Sequence, residues 1–268
     1  MSVKLPSPSP TRTAGVGEGQ DEGSQGGMAV PAVRGLKARA TDHPHPKPRF
    51  LTQLGALLWK DLVTEWRRRE VVLSLVVFSL LVLLVFDFAF DPQRAALPAA
   101  APGILWVTFI FAGVLSFTRA FAVEKDRGTW EGLLLAPVDR GAIYLAKLLA
   151  SLLFMLAVEA VTLAVFGAFF DVPFDVARLA VVVPAGTLGF ATVGTLFAAM
   201  SANTRAREIF LPVLLFPVAM PVIIGSVKAT ALAFGAAQDG YPWLGLVLAF
   251  DAIFLAVSFA VFEFVIED

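Results

Sequence analysis

Apolar runs of about twenty residues recur along this chain, and no other feature limits its fold so strongly. At about 1.5 Å per residue, a helix of that length crosses about 30 Å of hydrocarbon, where every backbone N–H and C=O must be satisfied within the segment. The runs lie at about 71–90, 103–123, 143–168, 179–200, 209–227 and 243–265 and predict an all-α polytopic membrane protein with six transmembrane helices. Composition agrees: 57% of residues are hydrophobic and 16% charged, far from the balance of a water-soluble domain.

Positive charge sets the expected orientation, because cytoplasmic flanks carry the excess of Lys and Arg. With the N-terminus inside, the inner flanks hold Lys60, Arg67, Arg68, Arg69, Arg119, Lys125, Arg127, Arg140, Lys147, Arg205 and Arg207, and the outer flanks only Arg94, Arg178 and Lys228. Both termini are then expected in the cytoplasm. The net charge of −1 gives no global basic field that would attract nucleic acid. There is no cysteine, which excludes disulfides, thiol chemistry and Cys-based metal sites.

Residues 1–49 are built from Pro, Ser, Gly and mixed charge with hardly an aromatic, and are expected to form a disordered cytoplasmic tail. Residues 50–268 form the expected six-span transmembrane domain. It opens at 50–66, where Phe50, Leu54, Leu57, Leu58, Leu62 and Trp66 fall at helical spacing against Gln53, Lys60, Asp61 and Glu65. That pattern predicts an amphipathic helix lying in the membrane interface. The plainer alternative is an N-terminal extension of the first span.

Small and helix-breaking residues are unevenly spread over the spans. The fourth carries Pro184, Gly186, Gly189 and Gly194, with Ala185 and Gly189 forming a small-xxx-small pair suited to close backbone approach. Pro212, Pro217 and Pro221 predict a kinked or locally unwound fifth span. Lys228 to Tyr241 is half apolar and reads as an interfacial or re-entrant segment. Ionisable residues within hydrocarbon are costly, which makes Glu159 and Asp251 candidates for one shared polar site or, equally, for two neutral hydrogen-bonded groups. Asp87, Lys147 and Glu263 fall nearer span ends and are expected to snorkel.

The chemistry available is narrow. No G-x-x-x-x-G-K-[ST] loop occurs to cradle phosphates, so ATP hydrolysis by this chain is not expected. H-E-x-x-H and G-x-S-x-G are also absent, and the only histidines, His43 and His45, precede the apolar part, which leaves no basis for catalysis by zinc or by a Ser–His pair. Transport or mechanical coupling remains. The stretch from Glu124 to Arg140 bears on this: between two spans, Trp130, Leu133, Leu134 and Leu135 form an apolar ridge too short to cross anything. Thr129 can cap exposed amides, Glu131 suits the positive helix end, and Pro137 stops the helix. Such a ridge either docks on a soluble partner or is an ordinary amphipathic loop.

The run Glu124, Gly128, Thr129, Glu131, Leu133, Leu134 and Pro137 (E-x-x-x-G-T-x-E-x-L-L-x-x-P) resembles the cytoplasmic loop of ABC-2-type exporter permeases. With Ala101-Pro102-Gly103-Ile104-Leu105-Trp106-Val107, Leu145-Ala146-Lys147, the stretch from Pro184 to Gly189, the proline-rich fifth span and Asp239-Gly240-Tyr241, the chain is similar over about residues 50–268 to the haem exporter protein B (CcmB) family. The resemblance implies an ABC-2-type architecture and a homodimeric permease subunit of the cytochrome c maturation system. It also implies a separate CcmA-like ATPase that binds the ATP, a CcmC-like haem-handling membrane protein and a CcmE-like periplasmic haem chaperone. On this likeness Glu124, Arg127, Gly128, Thr129, Trp130, Glu131, Leu133, Leu134 and Pro137 form the ATPase-coupling helix. Haem is a handled ligand rather than a firmly bound cofactor, since His and Cys are missing from every span and only Met155, Met200, Met220 and Tyr241 could serve as weak ligands. Alternatives are an ABC-2 permease for another amphiphile (a drug, a lipid or a polysaccharide precursor) and a membrane scaffold without transport.

Overall fold

A computed structural model describes residues 50–67, 69–90, 95–120, 132, 138–201 and 207–267. Seven long helices and no strand occur among them: α1 (Phe50–Arg67), α2 (Arg69–Phe90), α3 (Leu97–Ala120), α4 (Arg140–Phe170), α5 (Val176–Ser201), α6 (Arg207–Ala231) and α7 (Tyr241–Glu267). Helices α2 to α7 are each long and apolar enough to cross a membrane, and the chain is a multi-pass membrane protein. The tail at 1–49 lies outside the described residues.

Six spans are expected and six occur, but their ends move outward. The second begins at Leu97 instead of 103, because Pro102 is tolerated inside the second turn of α3. A proline so near the N-terminus releases a single carbonyl, that of Pro98. Helix α4 has 31 residues and is therefore about 46 Å long, well beyond the hydrocarbon thickness. The excess is used at its N-terminal end, where α1 packs across it. Helix α6 runs unbroken from Arg207 to Ala231 through Pro212, Pro217 and Pro221, so the local unwinding expected of this span does not occur.

Packing is centred on α3 and α5, whose spanning windows are 72% buried, against 17% for α2 and 22% for α7. Lipid tails are as apolar as leucine, so helices here associate through close contact of small residues rather than through escape from water. Helix α5 supplies these: the α6 residue Ser226 and the α3 residue Trp106 press on Gly186, the α7 residue Asp251 and Val222 of α6 on Gly189, and the Phe117 ring of α3 on Gly194. In contrast Leu73, Val77, Leu81, Val85 and Phe88 of α2, spaced three or four apart, are exposed as a lipid-facing stripe. Gly194→Ala puts a methyl into the Phe117 ring and is expected to lower stability by about 1–3 kcal/mol. Gly245→Ala, which meets nothing within 4 Å, is the control and leaves the melting temperature of the purified protein unchanged or slightly raised.

The segment after α6 is a tight turn rather than a re-entrant one. Ala236 N–H donates to Ala231 O (3.0 Å) and Gly235 N–H to Leu232 O (3.3 Å), with Gly235 at φ 66°. This is a Schellman cap, and only glycine adopts that φ without strain. The turn docks on the loop before α5: Asp175 N–H donates to Ala233 O (2.9 Å), Arg178 Nη1 to Leu232 O (3.0 Å), and Phe234 meets Phe166 and Phe174. These contacts bring the 171–175 and 232–240 connections to one end of the bundle.

Candidate functional site

The other end of the bundle carries the flanks of the proposed coupling stretch. Glu124, Arg127, Gly128, Thr129, Trp130, Glu131, Leu133, Leu134 and Pro137 themselves lie outside the described residues. Helix α3 ends ahead of them at Ala120, and α4 begins beyond them at Arg140. Asp139 caps α4, its Oδ1 accepting from Gly141 N–H (2.8 Å) and Ala142 N–H (3.3 Å). Its own N–H donates to Gln53 Oε1 of α1 at 3.1 Å.

The next residue, Arg140, donates from Nη1 to Glu263 O of α7 (3.4 Å), and one turn further on Tyr144, fully buried, stacks obliquely on Phe262 and donates from its hydroxyl to Thr192 O of α5 (3.1 Å). Lys147 does not snorkel as expected. It is 6% exposed, and its Nζ lies 3.3 Å from Asp61 Oδ2, while the exposed Lys60 reaches Asp61 Oδ1 at 3.2 Å. The reason is positional: α1 lies across the N-terminal part of α4, so the ammonium meets a carboxylate before it can reach water. Glu263, by contrast, is exposed.

Helix α1 is thus tied to α4 through both its polar residues and its leucines. Gln53, Leu54, Leu57, Leu58, Asp61, Leu62 and Glu65 are all half-buried, while Leu51 and Trp59 are exposed at 76% and 71%. The two groups that sequence reading missed, Asp61 and Asp139, left a faint trace each. Asp61 falls on the same helical stripe as Leu54, Leu57 and Leu58, and a lysine seven residues into an apolar helix calls for a carboxylate. Asp139 stands just before an apolar run, where N-caps belong.

The two intramembrane carboxyls are both buried, and both touch α5. Glu159, at 2% exposure, accepts from Thr187 Oγ at 3.0 Å on Oε1 and 2.9 Å on Oε2. It also borders a cavity of about 10 Å³ between α2, α3 and α4 with Gly113, Ser116 and Met155, room for a single water and far too small for a haem. Asp251, at 5% exposure, presses on Gly189. Thr187 and Gly189 are two residues apart, about 200° around α5, so the helix stands between the carboxyls and they do not line one cavity. Of the sulfur and phenol candidates for iron, Met155 is buried, and Met200, Met220 and Tyr241 are exposed.

Residues 52–266 match the family described as CcmB protein. The chain is 27% identical over 195 residues to heme exporter protein B of Bradyrhizobium diazoefficiens, a match covering 72% of this chain and 88% of the relative. It is 27% identical over 198 residues, with the same coverage, to heme exporter protein B of Pseudomonas aeruginosa. To that of Paracoccus denitrificans it is 29% identical over 181 residues, 66% of this chain and 81% of the relative. The matched region takes in nearly all of α1, the stretch between α3 and α4 and all six spans, and the chain belongs to the CcmB family.

Proposed function

We propose that this chain is the membrane permease subunit of a haem-handling ABC exporter in cytochrome c biogenesis. The observation that carries the reading is the match over 52–266, which relates the whole membrane part to heme exporter proteins while the sequence holds no phosphate-binding loop. Hydrolysis then belongs to a separate ATP-binding subunit of CcmA type. The Lys/Arg bias puts the end with α1 and the N-terminus of α4 in the cytoplasm of a bacterial inner membrane, where that subunit would be met.

The stretch Glu124–Pro137 is the contact. Trp130, Leu133 and Leu134 seat in a groove of the ATPase, and closure of the ATPase around nucleotide pushes on α3 and α4, which flank the stretch in the chain. The Gln53–Asp139 and Asp61–Lys147 contacts make α1 and the start of α4 one unit, so a push delivered just before Asp139 moves both. Haem is cargo or a passing ligand. With histidine and cysteine absent from the spans, firm iron ligation lacks its residues, and the mechanical role is favoured: driving release of a CcmE-like haem-loaded chaperone, next to a CcmC-like partner, from a homodimeric permease.

Affinity purification of the full chain from mild detergent tests this. An ATP-binding subunit and a haem-containing membrane protein are expected in the same eluate. An ATPase without haem or the haem-handling partner points to an exporter of another amphiphile, and recovery of neither points to a scaffold.

A further inference from the structure

Gly186 and Gly189 are three apart on α5 and so share one face. A side chain at Gly186 would strike Ser226 Oγ and the Trp106 ring; at Gly189 it would strike Asp251 Oδ1 and meet Val222 Cγ2 at 2.8 Å. Val222 and Ser226 are one turn apart on α6, which places Ser226 about one turn from Asp251 along the α5–α6 seam. Neither Ser226 Oγ nor either carboxyl oxygen of Asp251 has a hydrogen-bond partner among the described residues, although Ser226 is 0% and Asp251 5% exposed.

Among the described side chains, no charge on the elements packed around Asp251 is turned towards it. On α5, Arg178 is held by Asp175 (3.1 Å). On α6, Lys228 is exposed. On α4, Lys147 pairs with Asp61, Arg140 reaches Glu263 O, Tyr144 donates to Thr192 O, and Glu159 accepts from Thr187 on the far side of α5. On α7 itself, Glu263 lies twelve residues away and is exposed. An ionised carboxylate against bare α5 backbone, with neither donor nor counter-charge, is strongly disfavoured in hydrocarbon.

We propose that Asp251 is a proton-binding site between α5 and α7: it holds a proton while α7 is closed on Gly189 and gives it to water when α7 parts from α5. The step is a simple dissociation, in which the carboxylic acid O–H breaks, the proton passes to water and the carboxylate becomes hydrated; closure reverses it. The space left by Gly186 and Gly189 is what lets the acid and the Ser226 hydroxyl sit so close to the α5 backbone. Neither haem nor an ATPase partner enters this step.

The test uses the purified full chain and dicyclohexylcarbodiimide, which modifies protonated carboxyls in apolar surroundings, with the adduct located by peptide mass spectrometry. At pH 6 an adduct on Asp251 is expected, and its rate of formation falls at least about tenfold by pH 9. The melting temperature of the wild type falls over the same range, and that of Asp251→Asn, a neutral isostere of the acid in which the buried Glu159 remains, falls less. Absence of the Asp251 adduct at pH 6 overturns the proposal. So does an equal pH-dependent fall in Asp251→Asn, or failure of that variant to fold, since a neutral side chain of the same shape must suit the closed seat.

Discussion

Trp130→Ala combined with Leu134→Ala is expected to reduce cytochrome c assembly at least about tenfold while leaving ATP hydrolysis by the partner in place. The magnitude follows from interface anchors: a tryptophan and a leucine seated in one groove each contribute about 2 kcal/mol as hot-spot residues, and losing both exceeds the 1.4 kcal/mol that corresponds to a factor of ten. Both positions fall in sequence between the spans Leu97–Thr118 and Arg140–Phe170, so the described helices that pack on α5 retain their residues and the variant is expected to insert. Hydrolysis without assembly is the signature of a broken linkage. Full assembly in the double variant would remove the coupling role from this stretch.

The second large effect concerns the Asp61–Lys147 pair. Removing one partner of a buried ion pair costs about 3–5 kcal/mol, because the other charge is left without compensation. The two single substitutions are expected to differ. Asp61→Asn takes a carboxylate away from Lys147, which is 6% exposed, whereas Lys147→Met leaves Asp61 with Lys60, 3.2 Å away and at the surface. Asp61→Asn therefore lowers the melting temperature more than Lys147→Met, and Asp61→Asn with Lys147→Met recovers most of the loss, as replacement of a whole buried pair usually does. Equal losses in both single variants, or no recovery in the double, would contradict a buried pair that ties α1 to α4.

Much of the architecture could be read from residue order because hydropathy and helix length are local properties. Six runs long enough to cross a membrane are six spans, and the glycines of the fourth run mark the helix that packs most closely on its neighbours. Rotations of helices about their axes are not local. Glu159 and Asp251 have similar depth in sequence, yet their contacts fall two residues apart on α5, and nothing in either run encodes which face of α5 each will meet. The Asp61–Lys147 pair joins residues far apart in the chain, so its trace is limited to an aspartate on the leucine stripe of α1 and a lysine that looks out of place. The proline-rich α6 reads as kinked or locally unwound because single-sequence reasoning weighs the lost N–H and not the surroundings that tolerate it.

Helix α1 gains most in meaning from its contacts. Its pattern alone describes a helix resting on the membrane surface. Its contacts with Asp139 and Lys147 make it part of the support for the first turns of α4, directly after the stretch assigned to the ATPase. Exposed Leu51 and Trp59 remain available to the interface, where tryptophan is favoured.

Because the sequence has no cysteine, a single introduced thiol reports one position without background. Arg127→Cys falls in the stretch proposed to couple to the ATPase, and Gln238→Cys in the exposed turn after α6. Membranes containing the chain and the proposed ATP-binding subunit, treated with a short thiol-to-amine cross-linker, should give an adduct of the two from Arg127→Cys and none from Gln238→Cys. An adduct from Gln238→Cys with none from Arg127→Cys would contradict both the orientation and the coupling role.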